Sequence, residues 1–267
     1  MDITEKLNIR RIVGEERADV EDIVVKEATL SIILNHQELL TLLCSPADSR
    51  YLAIGLLASE GLIKNKDEIK KIVVDNEKGM VCIETVSGHK DARASPSKRL
   101  LTSGGGKGTA LYGAANAGGQ KVESQTIIFA RQVYALIKVF LQCSENFKKT
   151  GGIHSAALCD TGRILIFDED IGRHNAIDKV FGRCLLESIS TDGRIMITSG
   201  RISSEILLKV ARRNIPILIT KAAPTNLGVK LADNLGVTLI GFARGQQMNI
   251  YSHGYRVMTA GKQEYTD

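Results

Sequence analysis

The densest run of titratable and hydrogen-bonding side chains in this chain is Asp168-Glu169-Asp170-Ile171-Gly172-Arg173-His174-Asn175-Ala176-Ile177-Asp178-Lys179. Acids just ahead of a helix start are ordinary capping chemistry, favourable to the helix dipole. Arg173, His174 and Asn175 in the same turn are not ordinary filler, because helix propensity favours none of the three strongly. Charged clusters of this kind point to a site. His174 and Asp178 stand four apart and share a helical face, so a carboxylate–imidazole contact is expected, fixing the ring tautomer and favouring its charged form. Asn175 and Lys179 are related in the same way.

The elements that must hold this cluster can be read on either side of it. Arg163 to Phe167 is a short apolar run behind a Thr161-Gly162 turn, a buried strand; Ile177, Val180, Phe181, Cys184 and Leu185 recur at helical spacing, so a helix begins near Arg173. The cluster therefore sits at a strand-to-helix junction, where α/β sheets place ligands and free helical N–H groups can meet an anion. The pattern repeats downstream. Strands are expected at 154–159, 163–168, 195–198, 216–219 and 237–242, with helices after 173, after Ser204 and after Asn226. The loops after successive strands carry Arg173, then Ser199, Arg201 and Ser203, then Lys221 and Thr225, then Arg244. Any one is an ordinary capped loop; four that converge on one sheet edge suit an anion of nucleotide size.

The first half reads differently. Residues 1–20 are charged and weakly patterned, a loose lead-in, followed by strands at 23–27, 30–34 and 39–44. Ser45-Pro46-Ala47-Asp48 supplies a cap and a proline for the first turn of a helix that ends at Gly61, and strands at 69–74 and 80–86 flank a polar turn. A helix is expected over 126–143. The expected organisation is a small α+β unit over 1–100, a mobile Gly-rich linker over 101–123, and a layered α/β domain over 124–267. Thr102-Ser103-Gly104-Gly105-Gly106-Lys107-Gly108-Thr109 is not a Walker phosphate loop, because Lys107 is followed by Gly108 and Leu101 occupies the earlier glycine place.

Composition narrows the function. The net charge of +5 suits an anionic ligand, while 4% aromatic residues argue against stacked single-stranded nucleic acid. The charged N-terminal residues and the lack of a long apolar run predict a cytoplasmic protein that engages no membrane. The five cysteines (Cys44, Cys82, Cys143, Cys159, Cys184) form no Cys-x-x-Cys pair and are expected to be reduced and largely buried.

Several blocks together resemble the FdhD/NarQ family, the formate dehydrogenase accessory sulfurtransferases: Ser45 to Asp48 with Leu56 to Gly61, Thr150 to Ala157, Glu169 to Lys179, Ser199-Gly200-Arg201, Ala223-Pro224-Thr225 and Phe242-Ala243-Arg244. The resemblance spans roughly residues 20–255. It implies a cytidine-deaminase-like fold in the second half and a homodimer. It also implies a protein that binds the bis(guanylyl molybdopterin) cofactor, takes sulfur from a cysteine desulfurase, and passes it to molybdenum or tungsten before insertion into formate dehydrogenase; the protein itself would hold no metal. The family's guanine-dinucleotide loop falls on Phe242, Ala243, Arg244, Gly245, Gln246 and Gln247, and the cofactor-binding set is completed by Arg173, His174, Ser199, Arg201, Lys221 and Thr225.

One departure divides the readings. The family's sulfur-carrying loop reads Gly-Cys-Gly-x-Cys-Gly, and here Gly105 and Gly108 stand where its cysteines belong. Sulfur transfer needs a thiolate. Either another thiol serves, with Cys44 and Cys159 the candidates, or the chain is a cofactor-binding chaperone without carrier activity. A zinc nucleobase deaminase is disfavoured, because His154-Ser155-Ala156 has alanine where that chemistry needs glutamate.

Overall fold

The computed structural model describes residues 2–86, 100–101 and 121–259. Gly105, Gly108 and most of the expected linker lie outside the described residues.

The first twenty residues are not a loose lead-in. β1 (Thr4–Val13) and β2 (Glu16–Val25) pair antiparallel across a turn that places Gly14 at φ +63°. Their charges are cross-strand partners, with Lys6 on Glu21 at 2.6 Å and Arg10 on Asp19 at 2.8 Å. A hairpin exposed on most of its length needs no alternation of apolar and polar residues, so the usual strand signal is missing.

β3 (Ala28–Leu34) and β4 (Gln37–Cys44) turn at Asn35 and His36, both with positive φ. After α1 (Ser49–Ser59) come β5 (Ile69–Asp75), β6 (Met80–Thr85) and β7 (Leu100–Leu101), and the five strands form one sheet in the order β5-β6-β3-β4-β7. Leu30, Ile32, Leu42, Val81 and Ile83 bury one face of it against Leu52, Ile54 and Leu57 of the helix. Pro46 does not enter the first helical turn. The helix begins at Ser49 behind Asp48, which adopts a left-handed conformation and makes no side-chain cap, while the Ser45 hydroxyl is taken by the distant Ile171 N–H at 3.1 Å.

β8 (Ile128–Phe129) precedes α2 (Ala130–Cys143), so the helix starts four residues later than its apolar pattern suggests. Ile128 and Phe129 pair instead with β15 (Val257–Met258), and Gln132 Oε1 caps the helix by accepting from Phe129 N at 2.8 Å. After α3 (Glu145–Thr150) the second half alternates: β9 (His154–Cys159), β10 (Ile164–Asp170), α4 (Arg173–Leu186), β11 (Ile195–Thr198), α5 (Ser204–Ala211), β12 (Ile217–Thr220), α6 (Asn226–Leu235), β13 (Thr238–Arg244) and β14 (Gln247–Ser252). The sheet order is β10-β9-β11-β12-β13-β14.

Strands β11, β12 and β13 are parallel neighbours; β9 runs antiparallel to β11 and β10 antiparallel to β9. The carboxyl ends of β10, β11, β12 and β13 and the amino end of β9 therefore share one edge. Alternating strand residues fill two cores, Leu158, Met196, Leu218 and Leu239 beneath α4, α5 and α6, and Ala157, Ile197, Ile219 and Ile240 against α2. This is the layered α/β arrangement expected of the second half, with a β-rich first half beside it.

The halves meet where α1 crosses α4. A Cβ on Gly55 would fall on the Asp178 carbonyl, and one on Gly182 on the Tyr51 carbonyl. Two backbones touch there because neither residue carries a side chain.

Candidate anion-binding site

β10 brings the acidic run to the shared edge, but most of the cluster turns inward. Asp170 is fully buried and its carboxylate accepts from Lys179 Nζ at 2.8 Å, Asn175 Nδ2 at 2.8 Å, Gly172 N at 3.0 Å and Ser45 N at 3.2 Å. Asn175 also donates to the Leu43 carbonyl at 2.9 Å. Glu169 accepts from Ser144 and Asn146, and Asp168 from Arg183 at 3.1 Å. Asp170 and Asn175 join the sheet edge to the first half of the chain through Ser45 and Leu43. Burial of charge is tolerated there because Asp170 and Asp168 are ion-paired and Glu169 is hydrogen-bonded.

The expected His174–Asp178 contact is not made. Asp178 accepts from Ser59 Oγ at 2.6 Å and pairs with Lys209 Nζ, tying α4 to α1 and α5. His174 instead has Nε2 buried with no hydrogen-bond partner and 3.8 Å from Glu205. Nor does its environment favour the charged ring. Burial first, then the nearby Lys209, Arg173 and His154, push its pKa down to about 3.

That reversal makes the stability of the fold depend on pH. The ordinary His pKa is about 6.5, so as pH falls below it the unfolded chain takes up a proton that folded His174 refuses. Stability is full above that value and falls toward pH 3 by about 1.4 kcal/mol per pH unit from this group. The neutral variant His174→Gln is expected to lose stability less steeply than wild type between pH 6.5 and 5 in urea titrations; parallel slopes would show that the ring titrates normally.

What remains at the edge is cationic. Arg173 follows β10, with its Nε buried and unpaired, and burial and the neighbouring Arg201 lower its pKa. Gly200 admits it, since a Cβ there would lie 2.7 Å from Arg173 Cβ. Arg201 is exposed, and Lys221 stands over the Phe147 ring at 4.3 Å from the centroid. His154, at the amino end of β9, is held below its ordinary pKa by burial and then by Arg173 and Lys221. Its Nδ1 lies 3.2 Å from Ser199 Oγ, which also accepts from Ser155 N at 3.0 Å. Ser203, the residue before α5, has a buried hydroxyl with no partner. Arg173 Nε, His174 Nε2 and Ser203 Oγ are thus buried polar atoms left over around one strand edge, facing an excess of positive charge. Groups in that state are completed by an acceptor-rich anion.

The remaining predicted residues divide. Thr225 is a helix cap, its Oγ1 accepting from Gly228 N at 3.1 Å. Ala243 packs in the core, and Phe242 is half-buried at φ +52° with its N–H on the Ala222 carbonyl at 3.0 Å. Arg244, Gly245, Gln246 and Gln247 are exposed at the hairpin between β13 and β14, at the same edge. Ser199 and Lys221 are brought to the edge with Arg173 and Arg201. His154, Phe147 and Glu205 were missed as site residues: His154 joins the edge only because β9 runs antiparallel, a fact of sheet order that no local pattern carries.

The fold and this edge define an α/β protein with a basic rim where parallel strands end. The chain belongs to the FdhD/NarQ family, whose model matches residues 25–258. It is 41% identical over 256 residues to the sulfur carrier protein FdhD of Bacillus subtilis (strain 168), covering 96% of this chain and 98% of that protein. A sulfur carrier protein FdhD of Staphylococcus aureus (strain MRSA252) is 38% identical over 238 residues, 89% of this chain and 90% of that one. The crystal structure of a formate dehydrogenase accessory protein from Desulfotalea psychrophila superposes with a TM-score of 0.80 at 25% identity, covering 96% of this chain and 100% of that one.

Proposed function

We propose that this chain is a maturation factor for formate dehydrogenase that binds the bis(guanylyl molybdopterin) cofactor as cargo at the basic sheet edge. The observation that carries this reading is the set of buried atoms without a hydrogen-bond partner among the described residues, Arg173 Nε, His174 Nε2 and Ser203 Oγ, at an edge where Arg173, Arg201 and Lys221 gather near Glu205 and Asp170. Arg173, Arg201 and Lys221 would neutralise phosphates, and the exposed Arg244 would close over them from the β13–β14 hairpin. Arg244→Ala is expected to weaken GDP, a fragment of that cargo, by about 1.5–3 kcal/mol in calorimetry, the worth of hydrogen bonds to a charged group. Unchanged affinity would remove the hairpin from the site.

Sulfur handling is the second part of the proposal. A carrier thiolate would attack the outer sulfur of a desulfurase persulfide, take that sulfur as its own persulfide and release the desulfurase thiolate. Cys44, Cys159 and Cys184 are buried, and burial pushes each thiol up to about 12. None of the three is a competent carrier at neutral pH. Cys82 is half-buried and Cys143, the last residue of α2, is exposed, so the accessible thiols are not the two that sequence put forward. This favours the reading in which the chain binds the cofactor while sulfur is carried by a thiol other than Cys44 or Cys159. Incubated with a cysteine desulfurase and cysteine, the protein is expected to show little persulfide on Cys44 or Cys159 by mass spectrometry. The Gly105→Cys, Gly108→Cys variant is expected to gain it. Robust persulfide on Cys44 or Cys159 of the unaltered chain would restore the carrier role to that residue.

A further inference from the structure

The end of the sheet opposite the basic rim carries a second group of cations, Lys64, Lys66 and Arg213, that make no ion pair among the described residues. α4 begins at the rim with Arg173 and runs 14 residues to Leu186, roughly 20 Å at the usual helical rise. Beyond that end lies a cleft of about 370 Å³, bounded on one side by residues 64–67 of the first half and on the other by residues 188–191 and Arg213. Such a volume accommodates a small metabolite.

Its lining combines two chemistries. Phe181 and Leu185 of α4 and the half-buried Ile189 supply an apolar wall. Lys64, Lys66 and Arg213 supply positive charge, against Asp67 as the one acid of the lining. Arg213 is the informative member. Its guanidinium makes no hydrogen bond or ion pair among the described residues, and Nη2 is buried without a partner beside the Phe181 ring, 5.8 Å from the guanidinium carbon. Asp178, a nearby carboxylate, is already engaged by Lys209 and Ser59. A half-buried guanidinium without a counter-ion is costly. Burial is what lowers the pKa of Arg213 most.

We infer that this cleft binds a small organic phosphate, with the phosphoryl group between Arg213 and the lysines of the 64–67 segment and its apolar body on Ile189, in front of the buried Phe181 and Leu185. A phosphate dianion matches three cations better than a carboxylate does, because it brings nearly two charges and three acceptor oxygens. The ligand touches both halves of the chain, so its binding stabilises their association by simple linkage. This site is separate from the rim and does not depend on the cofactor reading.

Phenyl phosphate is the probe. Calorimetry on the full chain at neutral pH is expected to show saturable binding at least about tenfold tighter than benzoate. Arg213→Gln is expected to weaken phenyl phosphate about tenfold or more. Lys64→Gln with Lys66→Gln alters two exposed side chains that no core contact needs, and is expected to weaken it at least about threefold even if the Arg213 variant does not fold. Binding is expected to persist in Arg201→Ala, which removes a cation from the rim and none from the cleft. The inference is overturned if wild type does not saturate by about 10 mM, if benzoate binds as well, if the double lysine variant binds normally, or if Arg201→Ala abolishes binding and so moves the probe to the rim.

Discussion

Asp170→Ala is expected to cost about 3–5 kcal/mol of folding stability, the usual consequence of removing one partner of a buried ion pair. The carboxylate is fully buried and takes four donors, from Lys179, Asn175, Gly172 and Ser45. Removing it leaves the Lys179 ammonium in the interior with the Glu169 carbonyl, 3.0 Å away, as its remaining hydrogen-bond partner among the described residues. It also frees the Ser45 N–H, so the junction between the two halves loses a contact as well as a charge. Two features make the expectation checkable by urea denaturation. Asp170→Ala combined with Lys179→Met should recover part of the loss, because the uncompensated charge is gone. A single variant within about 0.5 kcal/mol of wild type, the range of ordinary surface substitutions, would show that the pair contributes nothing.

Gly55→Ala is expected to be nearly as damaging, at about 3 kcal/mol, the upper part of the range for overpacked cores. On an exposed helix the same substitution would stabilise by up to about 1 kcal/mol, through better helix propensity. Here the sign reverses. The new methyl would occupy the space of the Asp178 backbone carbonyl, and backbone cannot rotate away as a side chain can. α1 and α4 would have to separate, breaking the Ser59–Asp178 hydrogen bond and loosening the core that Leu185 shares with the first half. Gly182→Ala should behave alike, since its Cβ meets the Tyr51 carbonyl on the other helix. A neutral or stabilising result for either would mean that the helices are further apart than their glycines require.

Much of the architecture was legible because local rules and tertiary packing agree. The apolar run Ile195–Thr198 is a buried strand, Asn226–Leu235 is a capped helix, and the four cation-bearing loops do end parallel strands on one side of the sheet. Where the rules failed, another requirement outranked them. Ile127 and Phe129 fit the apolar period of α2, yet Ile127 is exposed and the segment is a strand in which Ile128 and Phe129 pair with Val257 and Met258. The β1–β2 hairpin has no buried face to impose alternation, so its charges masked it.

The central cluster marks the limit of sequence more sharply. Residue types alone determined that a strand-to-helix junction rich in charge would stand at a sheet edge, with Arg173 and His174 among rows of hydroxyls and cations. Spacing four apart also placed His174 and Asp178 on neighbouring positions of one helix, which permits a contact without requiring it. The tertiary structure decided otherwise. Burial makes an unpaired carboxylate expensive, so Asp178 takes the strongest donors packing brings to it, Lys209 from 31 residues along and Ser59 from 119 residues back. The imidazole is thereby left without its expected partner, and burial among cations holds it neutral, so the side chain that sequence reads as a charged, carboxylate-oriented ring is a neutral one in a basic rim.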